Sequence, residues 1–136
     1  MALLYSAAAQ TAQLQALINN IGTATAGSLV IYSGAQVAKP DTTPGPTGSL
    51  VAITLPAPPL TITTGSTAAA SVTALAGTWS GVAGTAGTAA SWRIFNNTGT
   101  VCVMQGVMTD LVLNNNSIAV GQTVSVTSFS ITAGNF

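Results

Sequence analysis

Charge is what this sequence lacks most. Only 3% of its 136 residues are charged, and histidine is absent. An ordinary soluble domain has roughly 25% charged residues. Because histidine, paired carboxylates and clustered cations are missing, the composition argues against most catalytic sites, most metal sites and any electrostatic recognition of nucleic acid. We therefore expect no enzyme activity, no cofactor, no metal and no nucleic-acid partner. The charged residues are Lys39, Asp41, Arg93 and Asp110.

Cysteine and long hydrophobic runs are also scarce. The single Cys102 cannot form an internal disulfide, and no histidine is available as its base, so we interpret it as a buried structural thiol. No run of 18 apolar residues occurs, so we expect no membrane partner. Residues 1–6 lack a cationic segment and a clear apolar one, which predicts no secretory signal.

So few charges imply a neutral surface. A folded protein of this mass exposes roughly 6,500 Å². Four charges then leave about 1,600 Å² each, twice the roughly 800 Å² that one partner contributes to a standard interface. Small soluble domains usually carry a net charge of magnitude about 2 to 8, whereas this chain has a formal net charge of zero. We infer that the protein works inside an assembly.

One helix is predicted at residues 6–21. Ser6 is a suitable N-cap and Gly22 a suitable C-cap. Two arrangements remain open, because the helix could pack on its own domain or dock on a neighbouring subunit. We divide the chain into an N-terminal arm and helix, residues 1–27, and a β-sandwich domain, residues 28–136. The apolar residues at helical spacing are Leu14, Leu17, Ile18 and Ile21.

Short β-strands are predicted after the helix. About eight strands, with turns roughly every 8 to 12 residues, indicate an all-β fold. The expected architecture is an antiparallel β-sandwich, jelly-roll or immunoglobulin-like, with one N-terminal helix. The strands are expected at 29–32, 50–55, 89–95, 100–105, 107–113 and 122–132, and more weakly near 60–64, 68–75 and 78–82.

Three details of this pattern carry predictions. Gly106 is expected to interrupt the strands on either side of it. The loop before residue 49 is rich in proline and glycine and is expected to lie exposed. In the last strand the apolar residues change phase, so a β-bulge at Thr127 and Ser128 would return them to one face.

A few side chains invite a more specific interpretation. Arg93 and Asp110 are each the only charge of their strand region, so they could form an ion pair. Trp79, Trp92 and Tyr32 could form a sugar-binding platform, but a sandwich this poor in large residues needs its aromatic rings in the core, and we favour that interpretation. The two glycosylation-like sequences at 96–98 and 115–117 are interpreted as turns.

Several segments, taken in order, form a pattern. Residues 29–36 read Leu-Val-Ile-Tyr-Ser-Gly-Ala-Gln after the helix, and residues 40–48 form a Pro/Thr/Gly loop before a strand ending in Thr-Leu-Pro. Residues 90–95 read Ala-Ser-Trp-Arg-Ile-Phe, and residues 115–126 form a closing segment. In this order the chain resembles a family of small virion structural proteins of tailed bacteriophages. Val37 stands where that family usually has proline.

The resemblance implies a virion structural protein. We expect a capsid decoration or cement protein, made in the bacterial host cytoplasm and bound to the exterior of the phage head, where it contacts the major capsid protein and copies of itself. The alternatives are a tail-fibre or tail-tip module that binds host surface glycan, and a neck module that binds neighbouring tail subunits. The expected contact residues are Leu3, Leu4, Tyr5, Leu14, Leu17, Val37, Pro44 and Pro46.

Overall fold

One helix followed by antiparallel strands makes up the regular structure. A computed structural model describes residues 5–65 and 71–133. Helix α1 spans Ala7–Ile21. The strands are β1 (Ser28–Tyr32), β2 (Ser49–Thr54), β3 (Leu60–Thr63), β4 (Ser71–Leu75), β5 (Ser80–Val82), β6 (Gly87–Thr88), β7 (Ser91–Phe95), β8 (Cys102–Val107), β9 (Leu111–Leu113), β10 (Ser117–Ile118), β11 (Thr123–Phe129) and β12 (Thr132–Ala133). The predicted class, all-β with one N-terminal helix, is confirmed.

Helix α1 has both predicted caps. The Ser6 Oγ accepts a hydrogen bond from Ala9 N at 3.1 Å, and the Gly22 N–H donates to the Ile18 carbonyl at 2.9 Å. These bonds satisfy backbone groups that a helix leaves unpaired at its ends. The helix packs against β3, β4 and β12, so its buried face contacts its own domain, the first of the two arrangements left open above. Its buried face consists of Gln10, Leu14, Ile18 and Ile21.

Four strands form the largest sheet, in the order β2-β1-β7-β8. Two three-stranded sheets, β5-β11-β9 and β12-β4-β3, and the short pair β10-β6 complete the structure. The core joins these layers through aromatic contacts: Phe129 of β11 lies 5.7 Å from the Trp79 ring centroid and 5.3 Å from that of Trp92 in β7. Aliphatic residues on the inner face of β1 and β7, such as Ile31 and Ile94, are fully buried around these rings.

The predicted bulge in the last long strand is present. The pairing of β11 with β9 shifts register between Val126 and Ser128, which leaves Thr127 as the extra residue. Because of this shift, Val126 and Phe129 both face the core although they are three positions apart. The change of phase in the sequence therefore identified a real irregularity of the sheet.

The expected break at Gly106 is wrong. Gly106 lies inside β8, opposite Trp92, and a Cβ at this position would come within 2.5 Å of Cζ2 of that ring. Glycine is required here because the indole occupies the space of a side chain. The chain turns later, at residues 108–110, so the single strand predicted over 107–113 is divided between β8 and β9.

The weakly predicted strands are largely present. Those near 60–64 and 78–82 correspond to β3 and β5, and the one at 68–75 is seen as β4, with its first three residues outside the described part. Both glycosylation-like sequences contribute turn hydrogen bonds, since Asn96 Oδ1 accepts from Thr100 N and Asn115 Oδ1 accepts from Ser117 N. The two-residue strands β6, β10 and β12 were not predicted.

Candidate interaction surface

The long loop between β1 and β2 is held against the outer face of the large sheet. Arg93 of β7 is only 6% exposed, and its Nη2 donates to the Thr42 carbonyl at 3.2 Å while Nε donates to Gln105 Oε1 at 3.3 Å. Gln105 Nε2 in turn donates to the Val37 carbonyl at 2.7 Å. The loop was expected to lie exposed, and many of its side chains do, but two sheet residues fix its backbone.

A cavity of about 340 Å³ opens beside the Arg93 guanidinium, and we call it the Arg93 pocket. Gly45 lies over the guanidinium, and a Cβ there would come within 2.6 Å of Nη1. The absence of a side chain at this position lets the loop pass close to the charge. The lining residues are Pro40, Asp41, Thr42, Thr43, Gly45, Arg93, Phe95, Thr100, Val101 and Cys102.

Burial controls the titration of the two weak acids near this pocket. Burial raises the pKa of the Cys102 thiol, and the positive charge of Arg93 lowers it by a smaller amount. The pKa of Tyr32 is also raised, again chiefly by burial and against the influence of Arg93. The thiol is therefore protonated at neutral pH, which agrees with its interpretation as a structural residue. It is half-buried rather than buried.

A second cavity of about 340 Å³ adjoins the first, between helix α1 and the β7-β8 hairpin. Leu17 and Asn20 line it from the helix, and Asn96 and Val103 line it from the hairpin. Val101 and Cys102 line both cavities. Because Val101 is 53% exposed, an apolar side chain stands between two concave sites. We call the two cavities together the hairpin surface.

The expected contact residues differ in how exposed they are. Leu17 is half-buried and lines the second cavity, whereas Pro44 is exposed in the loop beside the Arg93 pocket and lines neither cavity. Val37 and Pro46 are half-buried, and Tyr5, at the start of the helix, is 38% exposed. Leu3 and Leu4 lie outside the described residues.

Leu14 is a correction among these residues. It is 1% exposed because it belongs to the helix face that packs on the strands. Its side chain is therefore unavailable to a partner in this fold. Leu17, three residues later, lies at the margin of that buried face and remains partly accessible.

The expected ion pair between Arg93 and Asp110 is also corrected. Arg93 extends from the outer face of the sheet, where its hydrogen bonds go to Thr42 and Gln105. Asp110 Oδ2 instead accepts from the Val107 N–H at 3.1 Å and lies near the inner position occupied by Gly106. Neighbouring residues of a strand face opposite sides of a sheet, so the two charges are separated by the sheet itself.

The aromatic residues do not form a sugar-binding platform. Trp79 and Trp92 are 1% and 3% exposed. Each indole N–H is satisfied inside the protein, by the Pro59 carbonyl and the Val107 carbonyl respectively, both at 3.0 Å. Tyr32 is half-buried. The favoured interpretation, that the tryptophans belong to the core, is confirmed, and no ring is left free for stacking on a sugar among these three.

An open sheet edge is the feature that the sequence analysis missed. Strand β8 is an edge strand with β7 as its neighbour in the described residues, and it contains no charged residue and no proline. Such residues normally protect edges from pairing with other chains. The available signal was the uncharged apolar segment from Val101 to Val107, but without knowledge of the strand order it could equally have been central.

The comparisons with known proteins add no relationship. None of the family models, curated proteins or solved structures with which we compared the chain matches it. Within residues 5–65 and 71–133, no group of three or more His, Cys, Asp or Glu side chains could hold a metal ion. In the same residues, no helix has the length and apolar character needed to cross a membrane.

Proposed function

We propose that this protein is a structural component of a tailed-bacteriophage virion, namely a capsid decoration or cement protein. In this role it packs on the exterior of the head between major capsid subunits and contacts copies of itself. The observation that carries the proposal is the nearly uncharged surface with exposed valines on two separate parts of the fold. The fold class supports it as well, but only in general terms, because sandwiches serve many functions.

The surface has even less charge than the composition suggested. Burial of Arg93 leaves three exposed charged side chains, Lys39, Asp41 and Asp110, on an accessible surface of 6807 Å². That is roughly 2,300 Å² for each charge, nearly three times the area that one partner contributes to a standard interface. An interface can therefore form over large areas without the cost of desolvating an ion.

Exposed valines occur in several parts of the fold, and those of two separate regions suit a protein packed between neighbours. Val101 projects from the hairpin surface. Val82 and Val112 are 65% and 51% exposed and lie on the outward face of the β5-β11-β9 sheet, whose inward face holds Val124. A cement protein must contact at least two subunits, and bound copies stabilise the assembled shell by mass action.

Counting the protein in purified particles tests the proposal. Quantitative mass spectrometry of virions encoded by the same genome should give a copy number equal to that of the major capsid protein or a simple fraction of it, in the hundreds. Washing particles with 1 M NaCl should leave the protein bound, since few ions contribute to the contact. A handful of copies per particle would contradict head decoration and favour the tail or neck. Absence from the virion would reject a virion role altogether.

The structure removes the main argument for the glycan-binding alternative. It required exposed tryptophans, and both indole rings are buried. A tail or neck subunit that binds neighbouring tail proteins would use the same neutral surface, and the copy number distinguishes it from a decoration protein.

A further inference from the structure

We propose that the Arg93 pocket binds a carboxylate carried by an acidic side chain of a partner protein. The inference deepens the proposed function, on which it rests only for the identity of the partner as a capsid subunit. The site itself is argued from the geometry around Arg93.

The Arg93 guanidinium has N–H donors that are not used in hydrogen bonds within the described residues. Arginine carries five N–H donors. In the described part of the chain, Arg93 uses Nε toward Gln105 and Nη2 toward Thr42, and both acceptors are neutral. Its Nη1 makes no hydrogen bond there, although it lies under Gly45 beside a cavity of about 340 Å³.

The charge is buried without an opposite charge bonded to it. Arg93 is 6% exposed, and neither of its hydrogen bonds goes to a carboxylate. A buried cation is costly unless an anion compensates it. Two neutral carbonyl acceptors orient the guanidinium, so little conformational entropy remains to be lost when an anion binds.

A carboxylate fits this site better than a point anion. The planar guanidinium matches the two oxygens of a carboxylate, which it can bind in a bidentate manner. The chain contains only two aspartates and no glutamate. Asp110 lies on the other side of the sheet, and Asp41 lines the pocket but accepts neither of the two Arg93 hydrogen bonds, so we infer that the bound carboxylate comes from another protein.

Asp41 makes the proposal testable because it lines the same pocket. Its exposed carboxylate repels an incoming anion and weakens binding. Replacing it with asparagine removes the charge with little change of shape. The substitution should strengthen binding, whereas a purely structural role for Arg93 gives no reason for Asp41 to affect any ligand.

The experiment is a titration of the isotopically labelled full chain with sodium acetate, followed by ¹⁵N NMR. Sodium chloride at equal ionic strength and neutral acetamide serve as matched controls. We expect the Arg93 Nε–H signal and the amide signals of Thr42 and Val101 to shift saturably with acetate alone, with a dissociation constant in the millimolar range or weaker, as for a single small anion. Asp41→Asn should lower that constant about two- to fivefold.

Two variants separate the outcomes. Arg93→Gln should abolish the acetate response, and the spread of its amide signals reports whether it still folds. If that variant does not fold, Asp41→Asn remains decisive because it leaves Arg93 intact. No saturable shift in the wild-type protein, equal shifts with acetamide, or unchanged affinity in Asp41→Asn would each overturn the proposal. Acetate binding does not depend on the particle count, so failure of the pocket and failure of the virion role are distinguishable.

Discussion

The two edge strands of the four-stranded sheet, β2 and β8, differ in how they are covered by the rest of the chain. At the β2 edge, the Leu50 carbonyl accepts hydrogen bonds from Gly84 N at 3.1 Å and Thr85 N at 3.4 Å, and β5 packs alongside. At the β8 edge, the one capped residue we identify is Val107, whose N–H donates to Asp110. One edge is closed by the chain itself, whereas the other has no further strand beside it in the described residues and contains no charged residue. A single sheet can therefore have one edge covered by its own chain and another edge uncovered. We expect a partner protein to bind at the uncovered β8 edge.

Removing a side chain from the closed edge should have the largest effect. Leu50→Ala deletes a residue that is 2% exposed and should lower the free energy of unfolding by about 2 to 5 kcal/mol. The matched variant at the open edge, Val101→Ala, should change it by less than about 0.5 kcal/mol, because Val101 is half-exposed. Urea unfolding of both variants measures the difference. Equal losses would show that the edges are equally important to the fold.

Adding a side chain inside the open edge strand should have the next largest effect. Gly106→Ala places a methyl group within 2.5 Å of the Trp92 ring and 2.6 Å of Asp110 Oδ2, so we expect a loss of about 1 to 3 kcal/mol. Gly84→Ala is the control, since nothing lies within 4 Å of its added Cβ. Thermal unfolding of the two variants should separate them clearly. A neutral Gly106→Ala would contradict the close packing of β8 on the core.

Charging the open edge should affect attachment more than folding. Val101→Lys puts a charge on the hairpin surface and should reduce binding to particles by about 10- to 30-fold, equivalent to about 1.4 to 2 kcal/mol, while unfolding changes by less than about 0.5 kcal/mol. The control is Val72→Lys, at a residue that is 37% exposed in β4, outside both valine regions described above. Co-sedimentation with particles that lack the protein measures both. If the two variants lose attachment equally, the hairpin surface is not the specific contact.

The smallest effect should come from pH. Burial raises the pKa of the Cys102 thiol, so the folded state favours the protonated form. The stability linked to this group is fully present below the thiol's ordinary pKa of about 8.5 and is lost as pH rises through the higher folded value. The Tm should therefore fall at alkaline pH, and Cys102→Ser should make that fall shallower. Identical slopes in the two proteins would exclude the thiol as a contributor.

The elements that the sequence predicted well are those set by local chemistry. Ser6 and Gly22 bound the helix because capping depends on neighbouring backbone groups, and the phase change after Val126 located a bulge because strand periodicity is local. The fold class followed from the number of short strands. These features require no knowledge of which strands are neighbours.

The elements that failed depend on contacts between distant residues. Gly106 resembles a strand breaker until Trp92 is seen to occupy its side-chain space. Arg93 and Asp110 have opposite charges, but Arg93 bonds to Thr42 and Gln105 on the outer face, while Asp110, in the turn after β8, accepts from the Val107 N–H. The contacts expected at Leu17 and Pro44 stay predictions, whereas the Arg93 pocket and the open β8 edge depend on strand order and could not be predicted from the sequence. Leu14 was misassigned because helical spacing alone does not separate the centre of an apolar face from its margin.

The buried contact between Gln10 and Ser71 also constrains how the protein is made. Gln10 Oε1 accepts from both the backbone N–H and the hydroxyl of Ser71, each at 3.0 Å, across 61 residues of sequence. A ribosome that adds about 5 to 20 residues per second needs about 3 to 12 seconds to cover that distance. During this interval β1, β2 and β3 are also synthesised, but β4 and β12 are not, so the apolar face with Leu14 and Ile18 lacks part of the surface that covers it. Helix α1 therefore gains its full set of packing partners only after β12, the last strand, has been made.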